Sequence, residues 1–509
     1  MTDLFSPFVA LMATEPGGFD EHKLAIYLGA VGLVVIISGL VSGLVERGPI
    51  SQVVVFVALG VLVGPWGFDV VNLAVDSPAV ETVGTISLVL VFFTDAIKIN
   101  LGQLRSNWLL PALALGPGAI LTIILIAFAA RVAFDLSWTL TFLIAAILAS
   151  TDAVLLRDVI NNRHVPRAVR HTLSVEAGTN DVIVLPLLLV LISLATGEEN
   201  SARDWVEFAA SLYLLGPIIG VGVAFVAIKA LTWLRKRHLI RRDYESIYSI
   251  GVAFVAFAAA QMVGDGGLIA AFAAGLTIAL IDEELCDCFL EYGETTAEMA
   301  MLLTFVFLGG ALIDSAVDSF STVTFLFGLF ALVVARPLPF LIVLRRTNLS
   351  RAGRLMIAWF GPRGLNSLLL TVIAIAAGIP APDAVFGIVS VVVVLSMIVH
   401  GASATPVLSW YGRSLQRSDL PEEVAVDAGT LFAPDGVIRN SEHVPRMPVD
   451  RLARMIEGNE PVTVIDVRRE AALERSGQTI PGSLRIPVDD LRDRLALIPR
   501  DRPVVLWCT

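Results

Sequence analysis

The 509-residue chain is short of charge, of cysteine and of positive residues, and each shortage excludes something. Asp, Glu, Lys and Arg make up only 16% of it, against roughly 25% in soluble domains, so an all-soluble globular protein is ruled out. The net charge of −11 argues against a nucleic-acid role, which needs a basic face. Three cysteines, Cys286, Cys288 and Cys508, give neither a disulfide framework nor zinc spacing, and the first two read as ordinary thiols in a loop. The N-terminus lacks the basic start of a signal peptide. Its first apolar run, 24–45, is too long for a signal core and should stay as a membrane helix.

What the chain has in abundance is apolar surface: 56% hydrophobic residues and a mean hydropathy of +0.78. Charge is also unevenly placed, with 14 basic and 16 acidic residues falling between Arg413 and Thr509. The first 412 residues are therefore membrane-like in composition and the last 97 are not. A helix needs about 20 apolar residues to cross the hydrocarbon core. That ruler gives thirteen spans, near 24–45, 50–70, 80–98, 108–130, 137–157, 171–196, 205–233, 245–263, 266–281, 297–314, 321–344, 354–378 and 383–411. The fold class that follows is an all-α polytopic membrane protein with a small α/β tail. Its parts are an extracellular segment 1–23, a transmembrane domain 24–412, a linker 413–443 and a cytoplasmic domain 444–509.

Orientation comes from Lys and Arg in short loops, which mark the cytoplasmic side. Arg157, Arg163, Arg167 and Arg170 form one such cluster; Arg235, Lys236, Arg237, Arg241 and Arg242 a second; Arg345, Arg346, Arg351 and Arg354 a third. With thirteen spans these fall on one side together with Arg413 and Arg417, placing the N-terminus outside and the C-terminus inside. The acidic stretch Asp282–Glu298, read as a loop, lies on the same side without a basic residue. Two six-helix halves joined by one helix would have opposite orientations, the plan of inverted-repeat transporters.

Charges within spans are costly and mark function. Asp95, Asp152, Glu176 and Asp181 are such carboxylates, and Arg336 and Arg363 such cations. Asp95, near Lys98, reads equally well as a helix-end residue. Asp152 follows Ser150-Thr151, and Asp181 follows Thr179-Asn180, on helices joined by a short loop. Carboxylates, hydroxyls and amide oxygens from Asp152, Asp181, Thr151 and Asn180 suit a hard monovalent cation. A carboxyl removed from water also holds a proton more tightly. Competition of cation and proton for one acid, with alternating exposure, is a minimal exchange mechanism. Glu176 needs a buried cation as partner, and Arg336 and Arg363 are the two available. Gly361-Pro362-Arg363-Gly364-Leu365-Asn366-Ser367 reads as an interrupted helix that bares backbone groups at mid-membrane depth.

On these residues the sequence resembles the monovalent cation:proton antiporters of the sodium/hydrogen exchanger branch, especially bacterial NhaP-like members. Thr151-Asp152 resembles that family's Thr-Asp on an unwound fifth helix. Glu176…Asn180-Asp181 resembles its Glu-Ser-x-x-Asn-Asp, and Gly361-Pro362-Arg363-Gly364 its Gly-x-Arg-Gly. Ala335-Arg336-Pro337 and His400-Gly401 resemble its eleventh and last helices. The resemblance implies a six-helix transport core, a separate dimerisation domain and elevator-like access, hence a homodimer in the plasma membrane. It assigns cation and proton binding to Asp181, helped by Asp152 and Thr151, and pairs Glu176 with Arg336. Asn180 before the acid implies electroneutral exchange. The family's Ser is Ala177 here, which removes a hydroxyl that Thr179 could replace; Ser367 and Asp95 are further accessory candidates.

The expectation is a secondary antiporter exchanging sodium or lithium for protons, with no cofactor, potassium being the alternative cation. The tail adds a different possibility. Val462–Arg468, Ile480-Pro481-Gly482-Ser483 and Pro503–Cys508 resemble parts of a rhodanese domain, with Cys508 matching its sulfur-accepting cysteine. The loop that follows that cysteine is missing, so no sulfurtransferase activity is expected. A membrane-anchored sulfurtransferase is disfavoured for that reason and because a passive anchor has no use for Asp152 and Asp181.

Overall fold

A computed structural model describes most of residues 52–416, scattered helical positions between 29 and 40, and short pieces between 452 and 507. Residues 69–73, 100–108, 153–154, 161–164, 198–206 and a few single positions between 238 and 348 are not described. The chain divides into two units, Met1–Asp427 and Ala428–Thr509.

Among its described residues the first unit contains helices and their connections and no strand, as a chain in lipid can satisfy its backbone only within a helix or a closed barrel. Its helices are α1 Gln52–Val63, α2 Pro78–Lys98, α3 Leu109–Ala133, α4 Trp138–Ala149 and α5 Arg167–Thr196. They continue as α6 Glu207–Lys236, α7 Asp243–Gln261, α8 Gly267–Ile281 and α9 Glu283–Asp318. The last four are α10 Thr322–Arg346, α11 Arg351–Trp359, α12 Leu365–Ala376 and α13 Pro382–Gln416. Seven of the described helices are long and apolar enough to cross a membrane unaided. The expected span 24–45 lies almost wholly outside the described residues.

Packing sorts the helices into two layers. One is built from α1, α2 and α6 to α9, with α8 between α2 and α6 and α9 against α1 and α7. The other joins α3, α4 and α5 to α10, α11, α12 and α13. Its two triplets repeat the same irregularities. α3 and α10 each carry a π-turn, at Ala114–Gly118 and Ala331–Ala335, next to Pro117 and Pro337 respectively. Proline removes a backbone donor and so forces a local rearrangement of the ladder. The second member is broken in both triplets, α4 stopping at Ala149 and α11 giving way to α12. The two triplets thus share matching defects.

Two expectations are corrected. The span 137–157 does not run through; α4 ends at Ala149 and Ser150–Asp152 leave the helix. Ser, Thr and Asp side chains compete for backbone groups and favour that exit. The acidic stretch Asp282–Glu298 is not a loop, since α9 begins at Glu283 and takes it up as helix, Cys286-Asp287-Cys288 included. It contains no proline and one glycine, and Glu and Leu are good helix formers. At 36 residues, α9 is about 54 Å long, well beyond a hydrocarbon core of about 30 Å.

The second unit contains a three-stranded parallel sheet. β1 Thr463–Asp466 lies between β2 Leu484–Arg485 and β3 Val504–Trp507. Ile465 pairs with Leu484 on one side and Leu506 on the other. The apolar residues Val464, Ile465 and Ile486 are buried. The tail is therefore α/β-like as expected in its strands, while Cys508 and its surroundings lie outside the described residues.

Candidate functional site

Two interrupted helices meet in the middle of the second layer. α4 ends with backbone carbonyls that no further turn can use. Arg363 Nη1 donates to the carbonyls of Ala149 (3.0 Å) and Ser150 (2.9 Å) and to Thr151 Oγ1 (3.2 Å). Asn180 Nδ2 donates to the Ala149 carbonyl as well, at 2.7 Å. α11 ends similarly, and Arg336 Nη2 donates to the Phe360 carbonyl at 2.9 Å. The free amide at the start of α12 meets the opposite charge: Leu365 N donates to Asp152 Oδ2 at 2.8 Å. Cations thus face helix C-termini and an anion faces an N-terminus, each offsetting a helix dipole where no water can. The two extended segments are also joined directly, Asp152 N donating to the Pro362 carbonyl at 2.9 Å.

The glycines of the break are contact surfaces. A methyl group on Gly361 would collide with the Arg336 guanidinium, and one on Gly364 with the Asp152 carboxylate. Gly364→Ala should therefore push Asp152 off the Leu365 amide. Loss of a hydrogen bond to a charged group, worth about 1.5–3 kcal/mol, corresponds to a fall in exchange of tenfold or more. Vesicle assays that found the variant at full rate would show that this contact is not used.

Glu176 and Arg336 form a two-pronged pair with both bonds at 2.8 Å, and their side chains are 2% and 3% exposed. The guanidinium carbon also sits 4.3 Å from the Phe340 ring centroid. Of the two cations that sequence offered Glu176, Arg336 is the one hydrogen-bonded to it. Arg363, grouped with the pair on sequence grounds, instead holds the end of α4.

Thr151, expected as a cation ligand, is hydrogen-bonded here within the charged network. Its hydroxyl donates to Glu176 Oε1 at 3.2 Å and accepts from Asn180, Arg336 and Arg363. Three N–H donors converge on that oxygen, so in this state it braces the charged network.

Asp181 is different from all of these. Oδ1 accepts from Ser150 Oγ and Oδ2 from Asn366 Nδ2, both at 2.5 Å. Both donors are neutral, and the residue is 4% exposed. Beside it the Asn180 Oδ1 is buried without a hydrogen-bond partner.

Among the described residues, Asp152, Glu176 and Asp181 are buried here with Arg336 and Arg363. The accessory candidates sit at the margin. Ser367 Oγ donates to the Ile147 carbonyl at 3.0 Å and ties α12 to α4. Thr179 Oγ1 donates to the Val175 carbonyl of its own helix, while Ala177 is buried in an apolar cluster that includes Phe360. Asp95 is half-buried on α2, and its Cβ is 3.6 Å from where a Gly178 methyl would be, one turn from Asp181.

Sequence reasoning missed Ser150, Asn366 and Ser396 as site residues. Ser396 Oγ accepts from Arg363 N at 2.7 Å and meets His400 Nδ1 at 3.1 Å, while His400 Nε2 is 3.2 Å from the Trp359 carbonyl. α13 thereby supports the extended segment from behind. The available signal was a lone buried serine one turn before a histidine.

Comparison with known proteins bears on the family and the fold. Residues 32–410 match the family described as sodium/hydrogen exchanger, transmembrane. A K(+)/H(+) antiporter NhaP of Alkalimonas amylolytica is 24% identical over 487 residues, covering 94% of this chain and 79% of that one. A K(+)/H(+) antiporter NhaP2 of Shewanella baltica is 25% identical over 399 residues, 76% of this chain and 67% of that one. In fold, the chain is similar to the sodium proton antiporter MjNhaP1 from Methanocaldococcus jannaschii at pH 8. The TM-score is 0.63 at 20% identity, over 77% of this chain and 99% of the other.

Proposed function

The chain belongs to the sodium/hydrogen exchanger family, and from that premise we propose that a monovalent alkali cation and a proton compete for Asp181, one for one. The protein is a membrane-spanning cation/proton antiporter of the NhaP type, a transporter rather than an enzyme. The observation that carries the site assignment is that Asp181 is a buried carboxylate whose hydrogen bonds, among the described residues, come from a hydroxyl and an amide and not from an arginine.

Charge arithmetic supports the stoichiometry. Asp152, Glu176 and Asp181 face Arg336 and Arg363, so the described buried centre has a net charge of −1 with all five ionised. One proton, or one monovalent cation, brings it to zero. An uncompensated buried charge is expensive, so the loaded forms are favoured over the empty one. The Asp181 oxygens, the Ser150 hydroxyl, the Asn180 carbonyl oxygen and Asp152 are the oxygen donors a cation would use. The layer carrying the site moves against the other layer to expose Asp181 to either side. The protein acts as a homodimer in the plasma membrane, with the basic loops and the tail in the cytoplasm.

Sodium or lithium is the first reading of the transported ion, from the resemblance to sodium/hydrogen exchangers. Potassium is the second, favoured by the names of the NhaP and NhaP2 relatives. Proteoliposomes with an imposed pH gradient separate them. Adding sodium or lithium should dissipate the gradient faster than potassium does, and a response to potassium alone would overturn the sodium reading. The rate should not change with an imposed membrane potential; one that followed the potential would overturn one-for-one exchange.

A further inference from the structure

The start of α12 sets two consecutive residues against the two site carboxylates. Leu365 N donates to Asp152 Oδ2 at 2.8 Å, and Asn366 donates from Nδ2 to Asp181 Oδ2 at 2.5 Å. An ionised carboxylate only accepts, so the nitrogen of the amide has to face it. Asn366 is buried, and so is Asn180, the residue before Asp181. The two amides are held differently. Asn180 Nδ2 donates to the Ala149 carbonyl at 2.7 Å and to Thr151 Oγ1 at 3.4 Å, which fixes its plane. Its Oδ1 is left buried without a hydrogen-bond partner among the described residues. The Asn366 amide is hydrogen-bonded, among the described residues, to Asp181 alone.

A proton and a cation make opposite demands on that amide. A proton added to Asp181 Oδ1 points to the Ser150 hydroxyl, which turns to accept it, and Oδ2 still accepts from Asn366. An alkali cation at Oδ2 meets an N–H that carries partial positive charge, so that bond has to break. The terminal torsion of an asparagine side chain is broad and roughly two-fold. A half-turn about it puts the oxygen where the nitrogen was. The same side chain then supplies a ligand, and amide oxygens suit a hard cation. With Ser150 Oγ, the Asp181 carboxylate and the unpartnered Asn180 Oδ1, the turned amide gives oxygens from the end of α4, from α5 and from α12.

With Asp181 as the shared binding group, a reading on which this one rests, we propose that the Asn366 amide turns over on cation loading, presents Oδ1 to the ion and so sets which alkali cation is preferred. Coordinating carbonyl dipoles act on alkali-ion selectivity through their number and field strength. Coulomb attraction makes a lost oxygen cost the smaller ion more. The test is exchange by the full chain in proteoliposomes, at an alkaline pH where protons compete weakly, with lithium, sodium and potassium each titrated. Asn366→Leu, close in volume but without an oxygen, should raise the half-saturating cation concentration about tenfold or more. The rise should be larger for the smaller of any two ions the parent carries. Asn366→Ser, which restores an oxygen, should recover part of the loss. Asn366→Val is the smaller apolar substitute if melting shows that leucine is not accommodated. An unchanged half-saturating concentration, or a serine variant no better than the apolar one, would overturn the turning amide. So would equal losses for every ion, which would mean that Asn366 only positions Asp181. Asp181→Asn separates the two levels. If it is inactive while Asn366→Leu matches the parent, the role of Asn366 alone falls; if it exchanges, the assignment of Asp181 falls with it.

Discussion

Asp181→Asn should leave a folded protein that exchanges nothing. The substitution is close to isosteric and keeps both hydrogen bonds. The new carbonyl oxygen accepts from Asn366 Nδ2, and the new amide donates to the Ser150 hydroxyl, which turns to accept. What is lost is the charge alone. The buried centre then stands at zero with nothing bound, so neither proton nor cation gains by entering. Removing an uncompensated buried carboxylate should also leave thermal stability equal or higher. Fluorescence assays of a pH gradient in everted vesicles would report the activity, and melting of the purified variant would report the fold. Exchange at the parent rate would sink the assignment of Asp181. A variant that failed to fold would contradict the hydrogen-bond argument.

The second large effect is on stability. Arg336→Met removes the cation from Glu176, the donor from Phe360 O and the stack on Phe340 in one step. Breaking a buried ion pair from one side costs about 3–5 kcal/mol, because the remaining charge is stranded. Glu176→Leu/Arg336→Met removes both charges and should be less destabilised than Arg336→Met alone. Arg336→Lys should not restore the parent value, since an ammonium cannot reproduce the two-pronged bond. Melting temperatures of the parent, Glu176→Leu, Arg336→Met, the double variant and Arg336→Lys decide the matter. Strictly additive losses would mean that the pair is not coupled.

The legible parts of this protein are those decided by local composition. Apolar runs announced the helices, and Gly361-Pro362-Arg363-Gly364 announced a break because proline and glycine disfavour helix wherever they occur. Pairing Glu176 with a buried arginine followed from the cost of a lone charge in lipid. The rest depended on where distant segments arrive. That Arg363 faces the open end of α4 has no local sign, since its partners are the carbonyls of Ala149 and Ser150, which every residue possesses. Thr151 reads as a cation ligand because its hydroxyl is suitable; that three nitrogen donors also approach it has no local sign. Asp282–Glu298 was misread for another reason. Hydropathy separates membrane from water, and a polar helix falls on the watery side of that division beside true loops.

The contacts at Gly361 and Gly364 bear on how selectivity could be altered by design. Arg336 rests on one glycine and Asp152 on the other, so these four positions form a set in which no member can change size alone. Random libraries that include them would spend most of their members on broken proteins. Ser150 and Asn366 offer the opposite prospect. They are the two neutral side chains that, among the described residues, hydrogen-bond to Asp181. A small library confined to that pair is where a protein engineer seeking a different alkali ion should begin.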